Sequence, residues 1–266
     1  AYAMFMYSEM LKEGRGVHAS KEEAVRYLKM SADGGNQLGM ENYAYNLRYG
    51  EGGVAINKEE AARYYKLLAD RGNSSALGAY ASMLIHGEGV PNNNEEALHY
   101  QKLAADTGDK MEMWHYAMML YEGQFCATDK QEAAKYFKMS ADNGFSFSSF
   151  RYAHMLQVGD GIPIDQAMAI NYYKKAADDE TEHFVMQYAN IMYNGEAGIV
   201  DKEEAARYYK KAADKGNNKA MFKYGVMLEI GDGVAMNQEE SARYIKMAAN
   251  SGNKDAINKI GHCLIC

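Results

Sequence analysis

Seven near-copies of one fifteen-residue block run in register through this 266-residue chain. The block reads EEAVRYLKMSADGGN from Glu22 and EEAARYYKLLADRGN from Glu59, and it returns from Glu95, Gln131, Ala167, Glu203 and Glu239. Successive starts differ once by 37 residues and five times by 36, the extra residue falling at Gly52-Gly53. A fixed period of this size specifies a stack of like supersecondary units, because no single unit can bury its apolar face alone. One continuous array is expected, with copies at 1–36, 37–73, 74–109, 110–145, 146–181, 182–217 and 218–253 and the start of an eighth at 254–266. The chain opens at Ala1 without an initiating Met and is expected to be part of a longer protein.

Each copy reads as two helices. Before the block stand Ser20, Asn57, Asn93, Asp129, Asp165, Asp201 and Asn237, whose side-chain oxygens suit a helix N-cap. Three residues on come Glu23, Glu60, Glu96, Glu132, Glu204 and Glu240, with Met168 in the fifth copy, so six copies have the residues of a capping box. Gly35, Gly72, Gly108, Gly144, Gly216 and Gly252 are placed to end this second helix in a left-handed turn, and Glu180 replaces the glycine in the fifth copy. The first helix carries Tyr7, Tyr43, Tyr80, Tyr116, Tyr152, Tyr188 and Tyr224, each followed by a small residue and, four positions on, by Leu or Met. That spacing marks one buried face with a close helix crossing. Gly14, Gly50, Gly87, Gly123, Gly159, Gly195 and Gly231 stop it, and nothing in the pattern calls for a strand. The fold class is therefore all-α.

Ala220-Met-Phe-Lys-Tyr-Gly225, Met227-Leu228, Gly231-Asp-Gly-Val234 and Ala242-Arg-Tyr-Ile-Lys-Met-Ala-Ala249 resemble the Sel1-like repeat, a relative of the tetratricopeptide repeat. The resemblance covers essentially the whole chain, although Gln124-Phe-Cys126 replaces the second Gly and the Val in the fourth copy. It implies a right-handed α-α superhelical solenoid of ~36-residue helix-turn-helix repeats and a curved surface that holds a protein partner.

Little in the chain suggests chemistry. Lys and Arg number 29 against 36 Asp and Glu, a net charge of −7, so the basic footprint expected of a nucleic-acid binder is missing. No apolar run reaches the roughly 18 to 20 residues that span a bilayer. Three cysteines cannot frame a disulfide scaffold, which fits a reducing compartment, and a cytoplasmic location is expected. Cys263-x-x-Cys266 beside His262 is the one metal-like cluster, and without further ligands it reads as core; no metal or cofactor is expected. Recurring tyrosines on the second helices read as packing between repeats. Lys29, Lys66, Lys102, Lys138, Lys174, Lys210 and Lys246 form a ladder that the Asp four residues after most of them should neutralise. No enzymatic activity is expected.

Function should then lie where first-helix positions vary. In a tetratricopeptide-like array the residues nine, six and two before the Leu landmark and one after it point into the concave face. The fourth copy places Met111, Trp114, Met118 and Tyr121 there; the fifth, Phe147, Phe150, His154 and Gln157; the sixth, His183, Met186, Asn190 and Tyr193. The seventh has Lys219, Phe222, Val226 and Glu229, and the second has Leu38, Glu41, Tyr45 and Arg48. Aromatics and methionines in one concavity suit a peptide or helix groove, since rigid rings supply contact area and Met adapts its shape. The candidate binding residues are Trp114, Tyr121 and Phe150 at the centre, flanked by Met118, Phe147, Met186 and Tyr193, with Phe222, Tyr45 and Arg48 further out. The reading is a non-catalytic scaffold or adaptor. An architectural subunit of a large assembly, for example cytoskeletal, and the regulatory repeat region of a larger enzyme such as a kinase are the alternatives.

Overall fold

The computed structural model describes residues 1–179 and 181–263, the last two by backbone alone; Glu180 and Cys266 lie outside them, as do the side chains of His262 and Cys263. Fifteen helices and no strand occur among the described residues. They fall into two compact units, Ala1–Tyr136 and Phe137 onward. The first unit holds α1 (Tyr2–Glu13), α2 (Lys21–Asp33), α3 (Gln37–Tyr49), α4 (Lys58–Ala69), α5 (Ser74–His86), α6 (Asn94–Asp106) and α7 (Lys110–Glu122). Helix α8 (Lys130–Asp142) carries the boundary. The second unit holds α9 (Ser146–Val158), α10 (Gln166–Asp178), α11 (Glu182–Asn194), α12 (Lys202–Asp214), α13 (Asn218–Ile230), α14 (Gln238–Asn250) and α15 (Lys254–Cys263). Within each unit a helix packs on the next in sequence, as short connections dictate.

The local signals act where the sequence places them. All seven second-helix caps accept a backbone N–H from the third helical residue, for example Asn57 Oδ1 from Glu60 at 3.0 Å and Asp201 Oδ1 from Glu204 at 2.9 Å. The glycines that stop the first helices have φ between 64° and 75°, in the left-handed region. The first helices also have caps: Asn36, Asn73, Asp109, Asn217 and Asn253 each accept backbone N–H groups of the first turn.

The capping box closes on one side only. The N–H of each second-helix cap donates to the landmark carbonyl of the preceding first helix, as Asn57 does to Leu47 at 2.8 Å and Asp201 to Met192 at 2.9 Å. This bond joins the two helices of a repeat and leaves the Glu carboxylate available. The previous repeat uses it: Lys29 reaches Glu60 at 2.9 Å, Lys102 reaches Glu132 at 2.9 Å and Lys174 reaches Glu204 at 3.0 Å. The lysine ladder is thus partly an inter-repeat device, although Lys66, Lys138 and Lys210 also make the expected pairs with the Asp four residues on.

The tyrosines form the spine. In every copy the first-helix ring meets the second-helix ring edge to face, from Tyr7–Tyr27 to Tyr224–Tyr244, with centroids 4.6 to 5.5 Å apart and planes at 76° to 88°. Such a pair is worth about 0.5–1.5 kcal/mol beyond its burial. The second-helix phenol then donates to an Asp of the preceding repeat: Tyr64 to Asp33, Tyr100 to Asp70, Tyr136 to Asp106, Tyr172 to Asp142, Tyr208 to Asp178 and Tyr244 to Asp214. Burial and the carboxylate next to each hydroxyl push Tyr64 and Tyr136 up to about 12. The Asp residues thus serve tyrosines as well as lysines. The loops stack too: Gly89 lies so close to α4 that a Cβ there would stand 2.1 Å from the Lys58 carbonyl oxygen, and its neighbour Glu88 pairs with the Lys58 ammonium at 2.9 Å.

Candidate functional site

Trp114, Met118, Tyr121, Tyr45 and Arg48 belong to the first unit, and Phe147, Phe150, Met186, Tyr193 and Phe222 to the second. In the first unit, Met111 is 51% exposed and Trp114, Met118 and Tyr121 are half-buried, with the Lys130 ammonium 5.3 Å from the Tyr121 ring centroid. Tyr45 is exposed, leans on Tyr49 at 4.7 Å and donates to Glu51 at 3.3 Å. Arg48 is different: it is buried, with Nε donating to Glu88 at 2.8 Å and Nη2 to Ser82 at 3.0 Å. That side chain is committed to a strut between repeats, so Arg48 is not a free contact for a partner.

In the second unit Phe147 is 51% exposed and its ring lies 5.0 Å from that of Phe184. Phe150 is half-buried, stacked on Phe184 at 5.2 Å and packed on Tyr173 at the same distance. Tyr193 donates to Asp232 at 3.0 Å, and Lys202 sits over its ring at 5.4 Å. Tyr193, Phe222, Lys223 and Val226 line a cavity of about 260 Å³. Gln157 and Asn190 turn inward instead, accepting the buried phenols of Tyr173 at 2.6 Å and Tyr209 at 2.7 Å.

The structure adds a cavity in the third and fourth copies whose polar residues Gln101 and Glu112 the groove pattern does not mark. Between α5 and α7 lies a cavity of about 400 Å³. Its walls include Ile85, Met118 and Met119, and Gln101, Glu112 and Glu122 supply polar groups. Gln101 is 4% exposed and donates from Nε2 to Glu112 Oε2 at 2.7 Å. His115 Nδ1 stands 3.7 Å from the same oxygen. Gly78 explains the position of the carboxylate: a Cβ there would stand 2.5 Å from both Glu112 oxygens. The signal was present in the repeat alignment. The Glu112 position holds Gly39, Ala76, Ser148 and Ala220 in other copies, and the Gln101 position holds Tyr65, Phe137, Tyr173 and Tyr209.

Among the described residues no group of three or more His, Cys, Asp or Glu could hold a metal ion, and no helix is long and apolar enough to cross a membrane. The Cys263-x-x-Cys266 and His262 cluster lies outside the described side chains. Burial pushes the Cys126 thiol up, away from thiolate chemistry.

The Sel1 repeat family model matches residues 1–36, 37–73, 74–109, 113–145, 146–180, 186–217 and 218–253. Among solved structures, a protective antigen of uropathogenic Escherichia coli displaying an SLR fold is similar with a TM-score of 0.82 at 22% identity, over 98% of this chain and 56% of its own. A Sel1 repeat protein from Oxalobacter formigenes is similar with a TM-score of 0.74, also at 22% identity, over 98% of this chain and 75% of its own. At that identity the likeness shows the fold, a solenoid of helix pairs. This chain spans little more than half the length of the E. coli antigen. No curated protein sequence matches.

Proposed function

The chain belongs to the Sel1-repeat family, and from that premise we propose that it is a non-catalytic adaptor that holds another protein on the concave faces of its first helices. The observation that supports this reading most is Phe147, a phenylalanine 51% exposed beside half-buried Phe150 at first-helix positions that vary between copies. Exposed rings on a rigid helix lose little conformational entropy on binding and supply the contact area that dominates interface energies. In the first unit Trp114, Met118 and Tyr121 offer a second patch of the same kind, and Tyr45 is exposed on α3 of the same unit.

The test is affinity capture followed by mass spectrometry, with a captured partner then titrated against variants. Trp114→Ala and Phe147→Ala should each weaken that partner about 30-fold, corresponding to ~2 kcal/mol, while shifting the melting temperature little. Tyr116→Ala, which removes an edge-to-face pair from the spine, should do the reverse. Wild-type affinity in both groove variants would end the reading.

A further inference from the structure

We propose that the cavity between α5 and α7 receives a basic side chain, arginine or lysine, from the partner protein. The proposal rests on the reading that the first-helix face binds a protein, and it assigns this part of that face a chemistry.

The equivalent place two repeats further on is filled by the chain itself. There Phe150, Tyr173 and Phe184 occupy the positions of Gly78, Gln101 and Glu112, and their rings pack with centroids 5.2 Å apart. In the third and fourth copies all three rings are gone together. What replaces them is a space of about 400 Å³ with the Glu112 carboxylate in its lining. Glycine in the middle of α5 costs roughly 1 kcal/mol of helix propensity relative to alanine. Its effect here is to admit the Glu112 carboxylate against the helix backbone.

A carboxylate has about four acceptor positions. Gln101 supplies a short bond to Glu112, and the His115 nitrogen at 3.7 Å lies beyond good hydrogen-bond length. Glu122 contributes a second negative group to the lining, and no lysine or arginine lines the space. Arg48 reaches Ser82, another lining residue, but its guanidinium is held on Glu88 at 2.8 Å, a carboxylate it shares with Lys58, and it is not itself in the lining. Gln124, also in the lining, donates to Glu122, and Ile85, Met118 and Met119 supply the apolar wall. An aliphatic stem ending in a cation fits both parts: methylenes against the methionines and the charge on Glu112.

The experiment uses the whole chain with 13C-methyl methionine, because Met118 and Met119 line the cavity and report its occupancy by NMR. The probes are the acetylated methylamides of arginine, lysine, citrulline and norleucine. Arginine and lysine should shift both methyl signals saturably and bind at least about tenfold more tightly than the two neutral probes, the size of one charge-assisted hydrogen bond. Glu112→Gln keeps the shape, so its other methionine signals should be unchanged while the preference for the cations disappears. Equal binding of norleucine, an unchanged preference in Glu112→Gln, or no shift with any probe would each overturn the proposal. The adaptor reading stands or falls separately, on the Trp114→Ala and Phe147→Ala titrations.

Discussion

Two places related by the repeat make opposite use of the same positions. In the second unit Phe150, Tyr173 and Phe184 close the first-helix face with their own rings, and the Tyr173 hydroxyl is satisfied by Gln157. In the first unit Gly78, Gln101 and Glu112 leave the face open over a hydrogen-bonded carboxylate. Both places are built on the same helix pair with left-handed glycines ending the first helices, although Asn73 and Asp109 cap α5 and α7 where Phe145 and Thr181 make no side-chain cap for α9 and α11. A repeat array can therefore exchange a packed aromatic lid for a polar cavity without altering its spine, because the spine is carried by other positions, the Tyr pairs and the Tyr–Asp links between second helices.

The largest expected effect lies on the aromatic side. Phe184→Ala should destabilise the protein by about 3–4 kcal/mol in chemical denaturation, since it removes a buried ring and leaves Phe147 and Phe150 without their common partner. Glu112→Ala should cost about half as much, because the buried Gln101 amide loses its short carboxylate bond at 2.7 Å and keeps only the longer one to the Glu112 carbonyl at 3.3 Å. Equal losses would erase the contrast.

Gly78→Ala should destabilise by about 1 kcal/mol, because the clash with Glu112 outweighs the gain in helix propensity. In the double variant Gly78→Ala/Glu112→Ala the clash is gone, so Gly78→Ala should become neutral or stabilising on that background; additivity of the two changes would show that glycine is not there for the carboxylate.

Tyr64→Phe in one unit and Tyr208→Phe in the other should cost alike, about 1 kcal/mol each, because each phenol donates one bond to an Asp of the preceding repeat in the common spine. A large difference between them would show that the units do not share one spine.

The smallest effect appears only in alkali. An unfolded tyrosine loses its proton near pH 10, whereas Tyr64 and Tyr136 are held to about 12. A raised folded-state value means that folding favours the protonated phenol, so the contribution is fully present below pH 10 and is lost as the pH rises toward 12. Melting temperature should fall through that window, less steeply in Tyr64→Phe/Tyr136→Phe.

What could be read beforehand divides along the same line. The caps at Asn57 and Asp201 and the stops at Gly50 and Gly231 were legible because each acts on backbone within a few residues of itself. The aromatic groove positions were legible as a list, but Arg48 looked like a binding residue until its partners Glu88 and Ser82, one repeat away, appeared beside it. Gln157 and Asn190 likewise looked outward and turned to core phenols. The cavity is not legible in the groove pattern because Gln101 and Glu112 lie off its positions, and three of the third copy's four groove positions hold the small residues Ser75, Gly78 and Ser82.

The sequence by itself determined that this protein is a series of helix pairs of period 36, which residues cap and end them, and which face of each is buried. Those outcomes follow from interactions spanning one to five residues, so a periodic text contains them complete. Tertiary structure alone decided where the charged and hydroxyl groups were spent. The carboxylate of Glu60 could have closed its own capping box and instead meets Lys29; Asp178 could have answered Lys174, which goes to Glu204, and accepts Tyr208 instead. Each of those choices lies between groups about thirty residues apart, several alternatives are similar in energy for an isolated helix, and only the stacking of one repeat on the next makes one partner nearer than the others.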